Sequence, residues 1–316
     1  MITTFTANPS LDKTVTLGAP LAPGHVQIAV STREDAGGKG INVARVVAAA
    51  GGESVAVLPL ADGDPYAGAL DAAHVDVRPV RIDGVARSNI TLVDPEGITT
   101  KVNLPGAFLS SIDVDALVSA VVDASSNAHW LVLAGSLPPG APESFYADVI
   151  IAVRERHGAE APRVAVDASG AALRNVVGVA RPDLIKPNHE ELAELVGASL
   201  APDGSDRAAT ALAHAARCVP DKAAAALVTL GSQGALLVTA EGAWVGTAPR
   251  ITVASTVGAG DSALAGYLLA HDDGADAEGS LRRSIQYGSA AASLPGTQAP
   301  RPEDLPTTGI ETHRVN

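Results

Sequence analysis

The chain has 316 residues, of which 47% are hydrophobic and 18% charged, so it is long enough to bury a sizeable core. Its formal net charge of −13, without any run of Lys or Arg, argues against a nucleic-acid or membrane-surface partner. Its single cysteine excludes a disulfide framework, its apolar runs are too short to cross a bilayer, and no secretion signal is recognisable, so we expect a cytoplasmic protein.

Short β-branched runs alternate with longer Ala-rich segments of helical period, which is typical of parallel strands joined by crossover helices. In chain order, the β-branched runs predict strands at 2–6, 55–58, 130–133, 164–167, 184–185 and 226–229. The Ala-rich segments predict helices at 40–50, 64–73, 113–124, 142–157, 189–196, 206–217, 259–271 and 277–292. We therefore expect a three-layer α/β/α fold with a doubly wound, mostly parallel sheet.

Two pairs of segments break this alternation with the period-two polarity of half-buried strands: 14–17 with 25–30, and 88–93 with 99–104. A small antiparallel piece of this kind must rest one face on something, and a substrate cleft is the usual candidate. We expect a single domain over 1–316 with a discontinuous β-sheet lid from about 13–31 and 87–105. The tail from Pro295 to Asn316 is expected to pack loosely.

Polar or glycine-rich stretches follow several of the predicted strands, where ligands gather in a doubly wound sheet. Two further stretches, AGGKGINVAR at 36–45 and STVGAGDSALAG at 255–266, place glycines at the start of a helix. The free amide groups and the positive dipole end of such a helix favour an anion. Taken alone, Asp261 in the second stretch fits a plain helix N-cap equally well. Several such sites on one rim favour a binding site.

Six motifs, in this order, make the chain resemble the ribokinase-like carbohydrate kinases over nearly its whole length: NPSLD from Asn8, GGKGINVA from Gly37, AGSLPPG from Ala134, KPNHEEL from Lys186, TLGSQGA from Thr229 and STVGAGDS from Ser255. More narrowly, the chain resembles their phosphofructokinase B branch. The resemblance implies a ribokinase-like fold and the ATP- and Mg²⁺-dependent phosphorylation of a ketohexose monophosphate. We expect fructose 1-phosphate to give fructose 1,6-bisphosphate, with 6-phosphofructokinase or tagatose-6-phosphate kinase activity as the alternatives.

The same resemblance implies roles for residues of the later motifs. Asp261 would be the catalytic base, and the amides of Gly258, Ala259 and Gly260 would stabilise negative charge on the transferring phosphoryl group. The N-x-x-E spacing from Asn188 to Glu191 is associated with Mg²⁺ near the triphosphate, held through water rather than directly. A capped surface helix is the alternative for that spacing. The implied nucleotide-binding residues are Lys186, Asn188, Glu191, Thr229, Gly231 and Gly234.

At the acceptor end, the resemblance implies that Asp12 accepts hydrogen bonds from sugar hydroxyls. Lys39 and Arg87 would form the cationic pair for the phosphate already on the substrate, since Arg suits bidentate binding and Lys a point-charge contact. For Arg87 alone, a plain surface position is an equal alternative. The implied substrate-binding residues are Asp12, Gly38, Lys39, Asn42, Arg87, Asn89 and Ser136.

Two other function classes compete with a kinase. A sensor of the same fold, which binds sugar phosphate or nucleotide without turnover, predicts loss of the base or of the motif glycines, yet all are present. A dinucleotide-dependent oxidoreductase would need G-x-G-x-x-G directly after the first strand, where this chain has ANPSLD. We therefore expect sugar phosphate and ATP as the partners, together with a possible homodimer formed through the lid.

Overall fold

The computed structural model describes residues 1–200 and 206–315. The strands within these ranges are β1 (Ile2–Thr6), β2 (Ser10–Leu17), β3 (Ala29–Gly37), β4 (Ser54–Leu60), β5 (Val77–Arg81), β6 (Arg87–Val93), β7 (Thr99–Asn103), β8 (Trp130–Ala134), β9 (Arg163–Asp167), β10 (Leu184–Ile185), β11 (Ala225–Thr229), β12 (Ala235–Thr239), β13 (Gly242–Gly246) and β14 (Thr312–Val315). The α-helices are α1 (Lys39–Ala49), α2 (Tyr66–Ala73), α3 (Ser111–Ala124), α4 (Phe145–His157), α5 (Gly170–Asn175), α6 (His189–Val196), α7 (Arg207–Ala215), α8 (Ala259–Asp272) and α9 (Ala277–Ser293). Among these described helices, none combines the length and the apolar character that a membrane span requires.

Ten of the described strands form the large sheet, in the order β14-β13-β12-β11-β10-β9-β8-β1-β4-β5. The strands from β11 to β5 run parallel, whereas β12, β13 and β14 are added antiparallel at one end. The chain extends the sheet to β5 on one side of β1 and then returns to β8 on the other side. The order therefore reverses between β1 and β8, and such a switch point leaves a crevice beyond the carboxyl ends of the strands.

Helices cover both faces of the large sheet. Phe5 and Leu133 point into one core, which α3 and α4 complete. Ile2 and Val132 point to the opposite face and pack with residues of α1, α8 and α9. Because both faces are buried, strands such as β8 and β11 are almost continuously apolar, which made them recognisable in the sequence.

Strands β3, β2, β6 and β7, in that order, form a separate four-stranded sheet, called the lid sheet below. Strand β2 pairs antiparallel with β3 and parallel with β6. The strands overlap the two segments predicted for a lid, but the strand expected at 25–30 is wrong in its bounds. Strand β3 instead continues to Gly37, because its polar half pairs with β2, where Lys13 and Glu34 form an ion pair at 2.9 Å.

The sequence did not predict β5, β12, β13, β14 or α5. Strand β5 contains Pro79 and escaped recognition, although a proline is tolerated at the edge of a sheet, where β5 lies. Strand β14 overturns the expectation of a loosely packed tail. It pairs with β13, and the Arg314 guanidinium lies 5.4 Å from the centre of the Trp244 ring. These short strands form because a neighbouring strand pairs with them, and their own hydrophobic pattern is too weak to predict them.

Gly266 marks the closest approach of α8 and α9. A Cβ atom at this position would lie 2.7 Å from the backbone oxygen of Arg283 and 2.9 Å from Cβ of Tyr287. We expect Gly266→Ala to lower the free energy of unfolding by about 1–3 kcal/mol, because the helices must separate to admit the methyl group. This loss should outweigh the higher helix propensity of alanine.

Gly68→Ala on α2 is the matched control, since no atom of the described part of the chain lies within 4 Å of a Cβ atom there. It should raise the free energy of unfolding by about 0.5–1 kcal/mol, because alanine loses less backbone entropy than glycine in a helix. Urea denaturation measures both changes. Two variants of equal stability would contradict the close packing of α8 on α9.

Candidate active site

Two cavities lie beyond the carboxyl ends of β10 and β11, and they meet at Asn188, Thr229 and Gly260. The polar cavity, of about 400 Å³, is lined by charged and amide side chains from the lid sheet, from α1, α6 and α8, and from the loop after β10. The apolar cavity, of about 770 Å³, is lined mainly by residues 229–235 and 248–256 and by α8 and α9. The two cavities offer adjoining spaces of opposite character.

Helix α8 begins where the two cavities meet. Its N-cap, Gly258, has a φ of 76°, in the left-handed region that favours glycine, and Asp261 lies in the first turn. The first amides of a helix have no intrahelical acceptor, and together with the dipole they favour an anion. Gly258, Gly260 and Asp261 line the polar cavity, whereas Ala259 lines the apolar one.

A buried carboxylate holds two lysines at the polar cavity. Asp167, at the end of β9, is fully buried; Lys39 Nζ lies 2.6 Å from its Oδ1 and Lys186 Nζ 2.9 Å from its Oδ2. Burial alone would raise the pKa of Asp167, but Lys186 and Lys39 hold it below its usual value. Burial alone would lower the pKa of Lys39, but Asp167 and Asp261 raise it. Both Asp167 and Lys39 are therefore charged at neutral pH.

Asp261 is the second buried carboxylate of the cavity, with 6% of the residue exposed. Asn42 Nδ2 donates a hydrogen bond to its Oδ2 at 2.7 Å. Burial, together with the nearby negative charge of Asp167, raises the pKa of Asp261 to about 6, against the opposing effects of Lys39, the Asn42 hydrogen bond and Lys186. A carboxylate with this pKa is ionised at neutral pH and is a better proton acceptor than an ordinary one.

The lid sheet supplies the opposite wall of the polar cavity. Ser10 and Asp12 on β2 lie opposite Arg87 and Asn89 on β6, and alternate residues of a strand share one face. Ser10 Oγ donates to Asp12 Oδ1 at 2.8 Å, and Asn89 Nδ2 donates to the same oxygen at 2.9 Å. Burial raises the pKa of Asp12, although these hydrogen bonds and Arg87 oppose the rise. The wall thus combines fixed acceptors with one guanidinium.

The N-x-x-E spacing forms a reciprocal capping box at the start of α6. Asn188 Oδ1 accepts from the amides of Glu190 and Glu191, and Glu191 Oε2 accepts from the Asn188 amide at 2.9 Å. Both Asn188 and Glu191 also line the polar cavity. Within residues 1–200 and 206–315, no group of three or more His, Cys, Asp or Glu side chains is arranged to hold a metal ion. The Mg²⁺ role of this pair stays a prediction.

The remaining predicted residues divide between the cavities. Thr229 lines both cavities, while Gly231 and Gly234 line the apolar one. Gly234 has a φ of 106°, and a Cβ atom there would lie 2.0 Å from the Gly246 oxygen, so only glycine fits. Ser136 lies outside both, in a side cavity of about 500 Å³ that shares Arg87 with the polar cavity.

The two predicted phosphate-binding cations have different neighbours. Lys39 is paired with Asp167, whereas for Arg87 burial lowers the pKa and the charge of Asp12 opposes that change. Both line the polar cavity, together with Gly38 and Asn42. Whether the two cations share one phosphate stays a prediction.

Sequence reasoning missed Asp167 and Ser10 as site residues. Asp167 ends the run VAVD, and a carboxylate at the carboxyl end of a buried strand is a usable signal. Ser10 lies within NPSLD, but no pattern in the sequence shows that its hydroxyl contacts Asn89, 79 positions away. That contact depends on the pairing of β2 with β6.

Residues 8–304 match the sequence pattern of the pfkB family of carbohydrate kinases. The chain belongs to this family. It is 34% identical to 1-phosphofructokinase of Rhodobacter capsulatus, over 96% of this chain and 94% of the relative. It is 33% identical to ATP-dependent 6-phosphofructokinase isozyme 2 of Escherichia coli K12, over 94% of each chain.

The fold of this pfkB kinase agrees with solved structures. The crystal structure of phosphofructokinase-2 from Escherichia coli in complex with substrates and products superposes with a TM-score of 0.86, at 32% identity and over 96% of each chain. The predicted ribokinase-like fold with a small β-sheet lid is confirmed, as is the prediction of a carbohydrate kinase.

The buried pairing of Asp167 with two lysines carries a stability prediction. We expect Asp167→Asn to lower the free energy of unfolding at pH 7 by roughly 3–5 kcal/mol, because two ammonium groups lose their buried partner. The folded pKa of Asp167 lies below its unfolded value near 3.8, so the stabilisation is complete above that pH and is lost as the pH falls through the folded pKa.

Asp62→Asn is the control for this prediction. Asp62 pairs with Arg81 at 2.8 Å, but both side chains are more than 70% exposed. Its loss should cost less than about 1 kcal/mol. Urea denaturation of both variants at pH 7 measures the difference, and an equally small loss in Asp167→Asn would contradict a charged buried cluster.

Proposed function

We propose that this pfkB kinase catalyses the ATP-dependent phosphorylation of fructose 1-phosphate to fructose 1,6-bisphosphate. The observation that carries the proposal is the position of Asp261. From the first turn of α8 it lines a polar cavity suited to a sugar phosphate, and this cavity adjoins, at Gly260 of the same turn, an apolar cavity suited to a nucleobase. The similarity to 1-phosphofructokinase of Rhodobacter capsulatus supports the choice of acceptor.

In the proposed reaction, the free primary hydroxyl of the sugar phosphate lies against Asp261. Its oxygen forms a bond to the γ-phosphorus of ATP, the bond from that phosphorus to the bridging oxygen breaks to release ADP, and Asp261 takes the hydroxyl proton. The amides of Gly258, Ala259 and Gly260 stabilise the charge on the transferring group. Asn42 holds the carboxylate in place through its 2.7 Å hydrogen bond.

The cations that Asp167 holds fit a phosphate-transfer site. Lys39 and Lys186 bring positive charge to the cavity in a protein whose net charge is −13. We propose that Lys186 faces the nucleotide phosphates, because the loop that carries it leads directly into Asn188 at the junction of the cavities. Thr229, Gly231 and Gly234 would let the nucleotide approach the backbone of the apolar cavity.

The donor set of the polar cavity fits a Mg²⁺ ion bound largely through water. The capping box engages Oε2 of Glu191, so this side chain keeps a second carboxylate oxygen for a water ligand. Mg²⁺ retains several waters and is usually bound by few protein groups plus substrate phosphates. When bound, it would neutralise charge on the triphosphate.

A second acceptor has a specific observation in its favour. The relative from Escherichia coli K12 is named as an ATP-dependent 6-phosphofructokinase and is almost as similar to this chain. Fructofuranose carries CH₂O groups at both ends, so one cavity suits either a 1-phosphate or a 6-phosphate. Steady-state kinetics with fructose 1-phosphate, fructose 6-phosphate and tagatose 6-phosphate distinguish the acceptors; turnover of none of them would contradict the proposal.

The lid sheet supports the remaining predicted organisation, a single domain whose discontinuous lid covers the acceptor. We propose that lids of two copies pair in a homodimer. Val26, Ile28 and Val30 support this, because they are 99%, 88% and 70% exposed; the first two directly precede β3, an edge strand of the lid sheet, and Val30 lies in it. Exposed apolar side chains beside an open strand edge suit a protein partner.

The pKa of Asp261 predicts how activity depends on pH. We expect kcat/KM to rise through pH 6 and to level off above it, because only the ionised carboxylate accepts the proton. Asp261→Asn should remove this dependence and lower kcat by roughly 10²–10⁴-fold, with little change in either KM. Near-wild-type turnover in this variant would contradict the role of Asp261 as catalytic base and would favour a helix-capping role.

A stability measurement separates lost chemistry from lost structure in Asp261→Asn. The folded pKa of about 6 lies above the unfolded value of 3.8, so ionising Asp261 costs stability as the pH rises between them. The variant should therefore unfold at pH 8 no more easily than the wild type. Thermal unfolding of the wild type and the variant at pH 5 and pH 8 shows whether ionisation of Asp261 lowers the stability of the wild type.

Arg87 tests the assignment of the acceptor phosphate. We expect Arg87→Ala to raise KM for fructose 1-phosphate by roughly 10–150-fold, the loss of one charge-assisted contact worth about 1.5–3 kcal/mol. KM for ATP should hardly change, because Arg87 does not line the apolar cavity. Arg81→Ala, which removes the same charge from an exposed position, is the control. If KM for ATP rises instead, Arg87 contacts the nucleotide rather than the acceptor phosphate, and the assignment is wrong.

A further inference from the structure

Two asparagine side chains of the polar cavity each carry a buried amide oxygen. Among the residues that the structure describes, neither Asn42 Oδ1 nor Asn89 Oδ1 has a hydrogen-bond partner. A carboxylate can only accept hydrogen bonds, so the amide nitrogen of each asparagine must face its carboxylate, Asp261 for Asn42 and Asp12 for Asn89. The two oxygens are thereby left for donors of a ligand, since a buried acceptor without a partner is costly.

Ser10 connects the two acceptors on the lid wall. Ser10 is 1% exposed; its hydroxyl donates its one proton to Asp12 Oδ1 at 2.8 Å and accepts from Asn89 Nδ2 at 3.0 Å. Asn89 Nδ2 also donates directly to Asp12 Oδ1 at 2.9 Å, which closes a ring of three side chains. Each member of this ring fixes the orientation of the other two.

We propose that Ser10 is a positioning residue that determines which sugar stereoisomers the cavity accepts. The ring uses Oδ1 of Asp12 and Nδ2 of Asn89, so Asp12 Oδ2 and Asn89 Oδ1 become a rigid pair of acceptors on one wall. Such a pair can accept hydrogen bonds from the hydroxyl groups on two neighbouring ring carbons of the sugar. An epimer with one hydroxyl on the other ring face leaves one of the acceptors without a donor. The cavity therefore binds this epimer less tightly and turns it over less efficiently.

The register of the lid sheet makes this role specific to Ser10. Ser10 lies opposite Arg87, and Asp12 lies opposite Asn89, on the face of β2 and β6 that lines the cavity. Ser88 lies between Arg87 and Asn89 on β6, and its side chain points to the other face. Without the Ser10 hydroxyl, Asn89 keeps only its bond to Asp12 and gains freedom to rotate.

The inference rests on the proposed function, so its test compares epimers of the proposed acceptor. We expect Ser10→Ala to lower the preference, measured as the ratio of kcat/KM, for fructose 1-phosphate over its C3 epimer psicose 1-phosphate or its C4 epimer tagatose 1-phosphate. The fall should be about three- to tenfold, the worth of one net hydrogen bond. KM for ATP should stay unchanged.

Two further variants separate positioning from a general effect on the fold. Ser10→Thr keeps the hydroxyl and should retain the wild-type preference, and Ser88→Ala, the matched control on the opposite face of β6, should retain it as well. If Ser10→Ala does not fold, Ser10→Cys replaces it, because a thiol of similar size is only a weak donor.

An equal loss of activity on all epimers in Ser10→Ala, with unchanged ratios, would show a merely structural role and overturn the inference. An unchanged ratio in the folded Ser10→Cys would overturn it too. If the wild type turns over none of these sugar phosphates, the proposed function is wrong and the inference is overturned with it. Wild-type turnover with an unaffected Ser10→Ala overturns the Ser10 role alone.

Discussion

The pairing of Asp167 with two lysines is the interaction on which the site depends. An acidic protein that binds phosphate groups must place positive charge locally, and the buried carboxylate brings Lys39 from α1 together with Lys186 from the end of β10. The same negative charge also contributes to the raised pKa of Asp261. One buried group thus holds two cations and helps to raise the pKa of a second carboxylate, and neither effect requires a basic protein surface.

The two sheets contribute different chemistry to one cleft. The large sheet and its helices bring charge and free amides, because strands and helix N-termini meet beyond the carboxyl ends of β10 and β11. The lid sheet brings hydrogen-bond acceptors with fixed directions, because Asp12 and Asn89 lie side by side across a parallel strand pair. Gly260 belongs to both cavities, so the helix end faces the point where the two ligands would meet.

The N-x-x-E motif both caps a helix and lines the polar cavity. The capping box that Asn188 and Glu191 form satisfies amides at the start of α6, as the plain reading of the spacing predicts. Both side chains nevertheless line the polar cavity, because the N-terminus of this helix points into the site. A local cap therefore does not argue against a role in binding. The hydrogen bonds of the capping box hold these side chains in one position at the cavity.

The sequence by itself determined those features, such as the start and extent of a helix, that depend on residues close together in the chain. The predicted range 259–271 differs from the observed α8 by one residue, since glycines, a first-turn carboxylate and helical period all lie within one short stretch. Only the tertiary structure decided the partners of these residues. The Lys39–Asp167 and Asn42–Asp261 contacts join residues 128 and 219 positions apart, and β14 exists because β13 offers it an edge. Contacts at such separations depend on strand order and register, which no local pattern encodes.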